Sequence, residues 1–282
     1  MGSINKMLPK KIKPISRDIG FSIKTLIYKI KCIGKKPYPE PIFILGNQKS
    51  GTTAIAVLLG KITKKTTAID LFYSGFKASL FLKWKNTTIS TNNFINKNKL
   101  EFSSEIIKEP HLSVFYKELK QKYPKAKFLI IVRNPFDNIR SILDRLNIDG
   151  YKLELTKKEK KAFFHSWQLL LNNRWIGGSK KHYIDVLAER WNIITDTYYK
   201  NKEEMHLIKY EDFVHNKYAS IKNIANELNL KSINDISEIL DKQYQPKGKK
   251  RDIAVKDFFG EENLSRITNI CKENMQKLGY SN

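Results

Sequence analysis

The apolar run Ile42–Leu45, followed at once by Gly46-Asn47-Gln48-Lys49-Ser50-Gly51-Thr52-Thr53, constrains this chain more than any other feature. Four consecutive apolar residues read as a strand buried on both faces. Two glycines five positions apart permit a tight loop, and the apolar periodicity that resumes at Thr52 predicts a helix to about Lys61. A loop of this kind points backbone N–H groups at an anion, and the helix N-terminus adds its partial positive charge. Further strand candidates are Thr67–Phe72, Glu105–Ile107, Phe128–Val132 and the pair Leu207-Ile208, ending at Tyr210. Helical stretches separate them. The predicted fold class is therefore α/β: a three-layer sandwich with a central parallel sheet and a P-loop-like phosphate-binding loop.

Two late segments carry helical stripes, Tyr218, Ile221, Ile224, Ala225 and Leu228 in one, Leu264, Ile267, Ile270, Cys271 and Leu278 in the other. Cys271 thus reads as core. With Cys32 it forms neither a metal-ligand spacing nor a disulfide framework. Residues 41–282 read as one domain, with a Trp-, Phe- and Lys-rich helical insertion at about 150–190. Residues 1–40 read as a basic helical segment, with ten Lys/Arg against Asp18 and Glu40. Ile19, Ile23, Leu26, Ile30 and Ile33 share a helical stripe there, with Lys24 and Lys31 opposite. The lysines interrupt it too often for a signal peptide, and Lys6 stands where a lipidation site after Gly2 needs Ser or Thr. Two readings stay open: a helix packed on the domain, or residues 1–34 lying on an anionic membrane. No run of 18 apolar residues suggests a transmembrane helix, so the expected location is cytoplasmic, at most peripheral to a membrane.

The loop departs from the triphosphatase pattern Gly-x₄-Gly-Lys-Ser/Thr, because Thr52 occupies the lysine position. The loop's own cation, Lys49, suits a shorter anion and the bridge between its phosphate and the transferred group. A second strand-turn-helix unit, Phe128 to Ser141, sets Arg133 at the carboxyl end of a strand, the ligand edge of a parallel sheet. Ser141 follows two turns into the helix. An Arg fork with a hydroxyl suits a terminal phosphate monoester. The excess of 52 Lys+Arg over 28 Asp+Glu, a formal +24, favours anionic ligands without choosing among them.

Lys49-Ser-Gly-Thr-Thr53, together with Arg133-x-Pro135 and Ser141, resembles sulfotransferases that use 3′-phosphoadenosine 5′-phosphosulfate (PAPS). The resemblance covers about residues 41–280, patchily in 70–105 and 150–200. It implies a 5′-phosphosulfate loop formed by Gln48, Lys49, Ser50, Gly51, Thr52 and Thr53. It implies a 3′-phosphate site at Arg133 and Ser141, and places Tyr210 of Tyr210-Glu211-Asp212 near the adenine. Lys247, Gly248 and Arg251 resemble a C-terminal phosphate-gripping loop. Glu262-Asn263-Leu264 and Leu278-Gly279-Tyr280 resemble the ending of bacterial members.

The implied reaction is in-line transfer of the sulfuryl group from PAPS to an acceptor hydroxyl. The products include adenosine 3′,5′-bisphosphate, and no metal is expected. Lys49 and Lys108 are the expected catalytic cations, Lys108 on the sulfonate. The general base falls in or near Lys108-Glu109-Pro110-His111; His111 is favoured, with Glu109 and Asp70 as alternatives. The charge and the bacterial-type ending point to a carbohydrate or glycolipid acceptor. Two competing classes are a P-loop nucleotide kinase or NTPase and a non-catalytic basic anion-binding module. The kinase lacks both its lysine and an evident strand-end aspartate for magnesium. No nucleic-acid-binding signature is present, so no nucleic acid partner is expected.

Overall fold

Continuous apolar runs become the strands β1 (Ile42–Gly46), β2 (Thr67–Ile69), β3 (Ile106–Lys108), β4 (Lys127–Val132) and β5 (Met205–Lys209). All pairings are parallel, in the spatial order β2-β3-β1-β4-β5. The computed structural model describes residues 23–162, 165–245 and 253–280. From β1 the chain moves to one side of the sheet for β2 and β3, then crosses to the other for β4 and β5. The loops leaving β1, β3 and β4 therefore meet over one edge, where a doubly wound sheet binds its ligands.

Alternation along β1 divides the layers. Ile42 and Ile44, with Ile106, Leu129 and Ile131, pack against α1 (Thr52–Thr63) and another helix, at Lys217–Glu227, through Ile55, Leu58, Leu59, Ile221 and Ile224. Phe43 and Leu45, with Ile107, Phe128 and Ile130, face an aromatic cluster that includes Phe81, Trp84, Phe94, Phe102 and Phe115. Trp84 stacks on Phe94 and on Phe115, both at 4.0 Å between ring centroids. Beyond β4, α2 (Pro135–Leu146) and α3 (Tyr183–Tyr199) pack with the last helix, Val255–Lys277, around Ile139, Leu187, Trp191, Ile267, Cys271 and Met275. Cys271 is fully buried, as its stripe predicts, and both cysteines are free thiols.

Three expectations change. The strand predicted over Thr67–Phe72 stops at Ile69, and Phe72–Phe76 turns helical. There the Phe72 N–H donates to Glu101 Oε1 at 3.2 Å and its ring stacks on Tyr28, contacts that an extended strand would not make. The insertion is less helical than expected: a short helix at Lys157–Ala162, then 3₁₀ turns at His165–Leu171 and Arg174–Ile176, before α3 begins. Residues 23–31 are helical, but Ile23, Leu26 and Ile30 of the predicted stripe face away from the domain, as does Ile33 beyond them; Ile19 lies outside the described residues. Among the described residues no helix is long and apolar enough to cross a membrane.

Candidate active site

Backbone geometry explains both loop glycines. Gly46 has φ +141°, and a Cβ there would stand 2.5 Å from the Ile131 carbonyl oxygen of β4. Gly51 has φ +88°, and a Cβ would stand 2.2 Å from the Tyr210 ring. Tyr210, just past β5, thus lies directly against the loop. Lys49 takes φ 67°, a left-handed conformation that costs a non-glycine residue on the order of 1 kcal/mol. Its carbonyl accepts from Arg133 Nη1 at 3.1 Å, which ties the loop after β1 to the turn after β4. The Arg133 guanidinium also lies 4.7 Å from the Tyr210 ring centroid.

Three polar side chains that sequence reasoning missed hold the loop from below. Ser113 Oγ accepts from Gly46 N at 2.8 Å and donates to Gly46 O at 3.0 Å. Asn138 Nδ2 donates to Gln48 O at 2.8 Å and Ser50 Oγ at 3.0 Å, while Asn138 Oδ1 accepts from Asn47 Nδ2 at 2.8 Å. Asn47 Oδ1 in turn accepts from Gln48 N. Ser50 is therefore a buried support, directed toward α2. A signal for Asn138 existed: it lies one turn before Ser141 on α2, the helix already assigned to the phosphate site.

The cleft over this edge has a volume of about 740 Å³. Gln48, Lys49, Gly51, Thr52, Thr53, Arg133, Ser141 and Tyr210 line it. So do Asp70 and Lys108, from the ends of β2 and β3. Lys247, Gly248 and Arg251 lie outside the described residues. Gln245, just before them, spans the loop: its Oε1 accepts from Lys49 Nζ at 3.2 Å and its Nε2 donates to Thr53 Oγ1 at 2.9 Å. Gln48 Nε2 and Oε1 and Arg133 Nε are buried with no hydrogen-bond partner among the described residues. Buried polar atoms are normally paired, so these three are suited to a polar ligand in the cleft.

On the β2–β3 side the electrostatics revise the choice of base. Lys108, almost fully buried, donates to Asp70 Oδ1 at 2.5 Å, and the Asp70 side chain is 54% exposed. Glu109 is buried, with Oε1 accepting from His111 N at 3.0 Å and Oε2 from Leu71 N at 3.2 Å. Burial, reinforced by the Asp70 carboxylate, pushes its carboxyl up to about 7, against the opposing pull of Lys108. The contacts of His111 weigh against it as the general base. Arg190 Nη2 lies 3.2 Å from its Nδ1, and the ring also hydrogen-bonds the Ser166 backbone. Burial, then the Arg190 and Lys108 cations, holds its pKa well below the ordinary histidine value. Arg190, fully buried, is itself driven down to about 10 by desolvation. His111 is a neutral, engaged ring in the wall of the cleft. Asp70 is the carboxylate with solvent access.

A family model described as "Sulfotransferase domain" matches residues 39–250. No curated protein sequence matches the chain. Among solved structures, sulfotransferase STF9 from Mycobacterium avium is 12% identical, covers 86% of this chain and 78% of its own, and superposes with a TM-score of 0.52. Its likeness to this chain is one of fold. STF1 from Mycobacterium tuberculosis H37Rv is 12% identical over 84% of this chain and 78% of its own, with a TM-score of 0.47. Mouse SULT7A1, solved in complex with PAP, is 16% identical over 88% and 86%, with a TM-score of 0.41.

Proposed function

Because this chain belongs to the sulfotransferase family, we propose that it moves the sulfuryl group of PAPS onto an acceptor hydroxyl entering from the β2–β3 side of the cleft. One observation carries the reading. The Lys49 loop, Arg133, Ser141 and Tyr210 line the same cleft as Lys108 and Asp70, so the residues proposed for donor and acceptor share one sheet edge. Arg133 and Ser141 would hold the 3′-phosphate. The loop N–H groups, Lys49 and the hydroxyls of Thr52 and Thr53 would hold the 5′-phosphate. The bound donor supplies a sulfuryl group activated by its phosphate leaving group.

The remaining chemistry belongs to the side chains. Lys49 balances the negative charge that grows on the bridging oxygen as transfer proceeds. Lys108, fixed at the end of β3, places its ammonium toward the sulfonate oxygens. Asp70 takes the acceptor hydroxyl proton, its carboxylate held in place by Lys108. Glu109 shapes this wall through its two backbone contacts. The acceptor class we propose is a carbohydrate or glycolipid hydroxyl, in keeping with the positive field.

The experiment is a thermal-shift comparison of adenosine 3′,5′-bisphosphate with ATP. A ligand that binds only the folded state raises the melting temperature by mass action. The bisphosphate is expected to raise it more, because ATP lacks the 3′-phosphate that Arg133 and Ser141 would grip. Equal shifts would remove the donor assignment.

A further inference from the structure

Residues 23–31 form a helix whose two faces are opposed in kind. At 100° per residue, Ile23, Leu26, Ile27 and Ile30, with Ile33 just beyond the helix, fall within an arc of about 120°. Each of the five is between 47% and 77% exposed. The opposite side belongs to the domain. Tyr28 is buried, donates from its hydroxyl to Glu101 Oε2 at 2.6 Å, and stacks on Phe72 at 5.0 Å. The packing that holds this helix therefore directs its apolar row outward. Ile27 widens the row, so Lys24 and Lys31, expected opposite it, flank it on one side and Lys29 on the other, with Lys35 and Lys36 following, all exposed.

We infer that this row is a docking surface for an anionic lipid bilayer. An apolar arc bordered by lysines on both edges is the arrangement that seats a helix in the plane of a membrane interface. The charges select this occupant. A second copy of the chain, docked row to row, would bring the same five lysines against one another in a molecule of formal charge +24. Anionic headgroups meet those lysines with opposite charge.

The position adds a consequence. Tyr28 stacks on Phe72, and the Phe72–Phe76 turn carries Gly75 into the lining of the cleft, next to Asp70. The helix that bears the row thus packs on a segment that reaches the acceptor side. Where the transfer reading above holds, a hydroxyl borne on a lipid headgroup reaches Asp70 without leaving the bilayer surface. The docking itself does not depend on that reading.

The test is sedimentation of the full chain with phosphatidylcholine vesicles, with and without about 30% phosphatidylserine. Binding is expected with the anionic vesicles and should weaken steeply with salt. The double variant L26S/I30S alters only exposed side chains. It should lose vesicle partitioning by roughly tenfold or more, since each buried apolar side chain contributes strongly. K24E/K31E should lose it as well. An unchanged melting temperature with adenosine 3′,5′-bisphosphate in L26S/I30S, relative to wild type, would show that a loss of docking is not a loss of fold or donor site. Wild-type pelleting by L26S/I30S would overturn the proposal, as would binding that disappears only when residues 1–22 are removed. A dimer that L26S/I30S converts to monomer, with no vesicle binding in either form, would assign the row to self-association instead.

Discussion

Asp70 and Lys108 hold each other twice: the Lys108 ammonium donates to Asp70 Oδ1 at 2.5 Å, and the Asp70 backbone N–H donates to the Lys108 carbonyl at 2.8 Å. The contact joins the residue just past β2 to the last residue of β3, neighbouring parallel strands whose register pairs Ile69 with Lys108. It fixes a carboxylate at the cleft although its own backbone is left-handed, with φ 59°. Strain of that kind persists only where surrounding contacts determine the conformation, and it is common at functional sites.

Asp70→Asn is expected to lower kcat/KM by about 10²–10⁴, the usual contribution of a positioned general base. Donor binding should stay near wild type, because the substitution lies across the sheet from Arg133. Steady-state kinetics and bisphosphate titration on one preparation check both halves. Unchanged kcat/KM would place the base elsewhere in the cleft.

Lys49→Ala should reduce kcat more than it weakens donor binding. The interaction assigned to Lys49 strengthens as charge moves onto the bridging oxygen, and interactions made chiefly in the transition state appear in kcat. Single-turnover measurements at saturating donor separate the two effects. A loss confined to KM would reduce Lys49 to a binding residue.

Arg133→Ala tests recognition of the 3′-phosphate. A hydrogen bond to a charged group is worth about 1.5–3 kcal/mol, or roughly tenfold to a hundredfold in affinity. The wild type should prefer PAPS over adenosine 5′-phosphosulfate, and the variant should largely lose that preference. Arg133 also donates to the Lys49 carbonyl, so some loss for both donors is expected. A folded variant that keeps the full preference would refute the role.

His111 predicts a pH dependence of stability. Its pKa in the fold is well below the ordinary 6.5, so in acid the unfolded chain takes up the proton first. The stability it contributes is present above pH 6.5 and lost as pH falls below it, at up to about 1.4 kcal/mol per pH unit. Glu109 acts with the opposite sign. Raised to about 7, it stays protonated in the fold where the unfolded chain has ionised, so its contribution falls as pH rises from its ordinary 4.5 toward 7. His111→Gln keeps an acceptor for Arg190 and leaves Glu109 in place. Between pH 7 and pH 5 the wild type should lose more stability than this variant. Chemical denaturation at the two pH values reads the difference; equal losses would place the titration elsewhere. The same variant should keep turnover within roughly tenfold of wild type, because the ring is engaged by Arg190 and Ser166.

The parts legible in the sequence were those that depend on local pattern. β1, β4 and the two phosphate motifs could be placed because buried parallel strands are continuous apolar runs and the loop chemistry lies in consecutive residues. Long-range relationships were not legible. The place of Asn138 one turn before Ser141 points to the phosphate site, but not to the partners its amide meets, Gln48 and Ser50, some ninety positions earlier. Arg190 lies at the end of the stretch that reads only as a helical insertion, yet it engages the ring of His111, the residue favoured as base. The apolar stripe of the N-terminal segment was visible, but its direction was not. A single tyrosine on the opposite side, meeting Glu101, decides which face is buried.

The framework beneath the phosphate loop bears on engineering. Asn138 and Ser113 together satisfy Gly46 N, Gly46 O, Gln48 O, Ser50 Oγ and Asn47 Nδ2. A graft of residues 46–53 into another parallel-sheet scaffold would leave those groups stranded unless both supports travelled with it. The transplantable module is thus discontinuous, assembled from three separate stretches of chain, and a donor specificity exchanged by loop swapping alone should yield a loop without its shape.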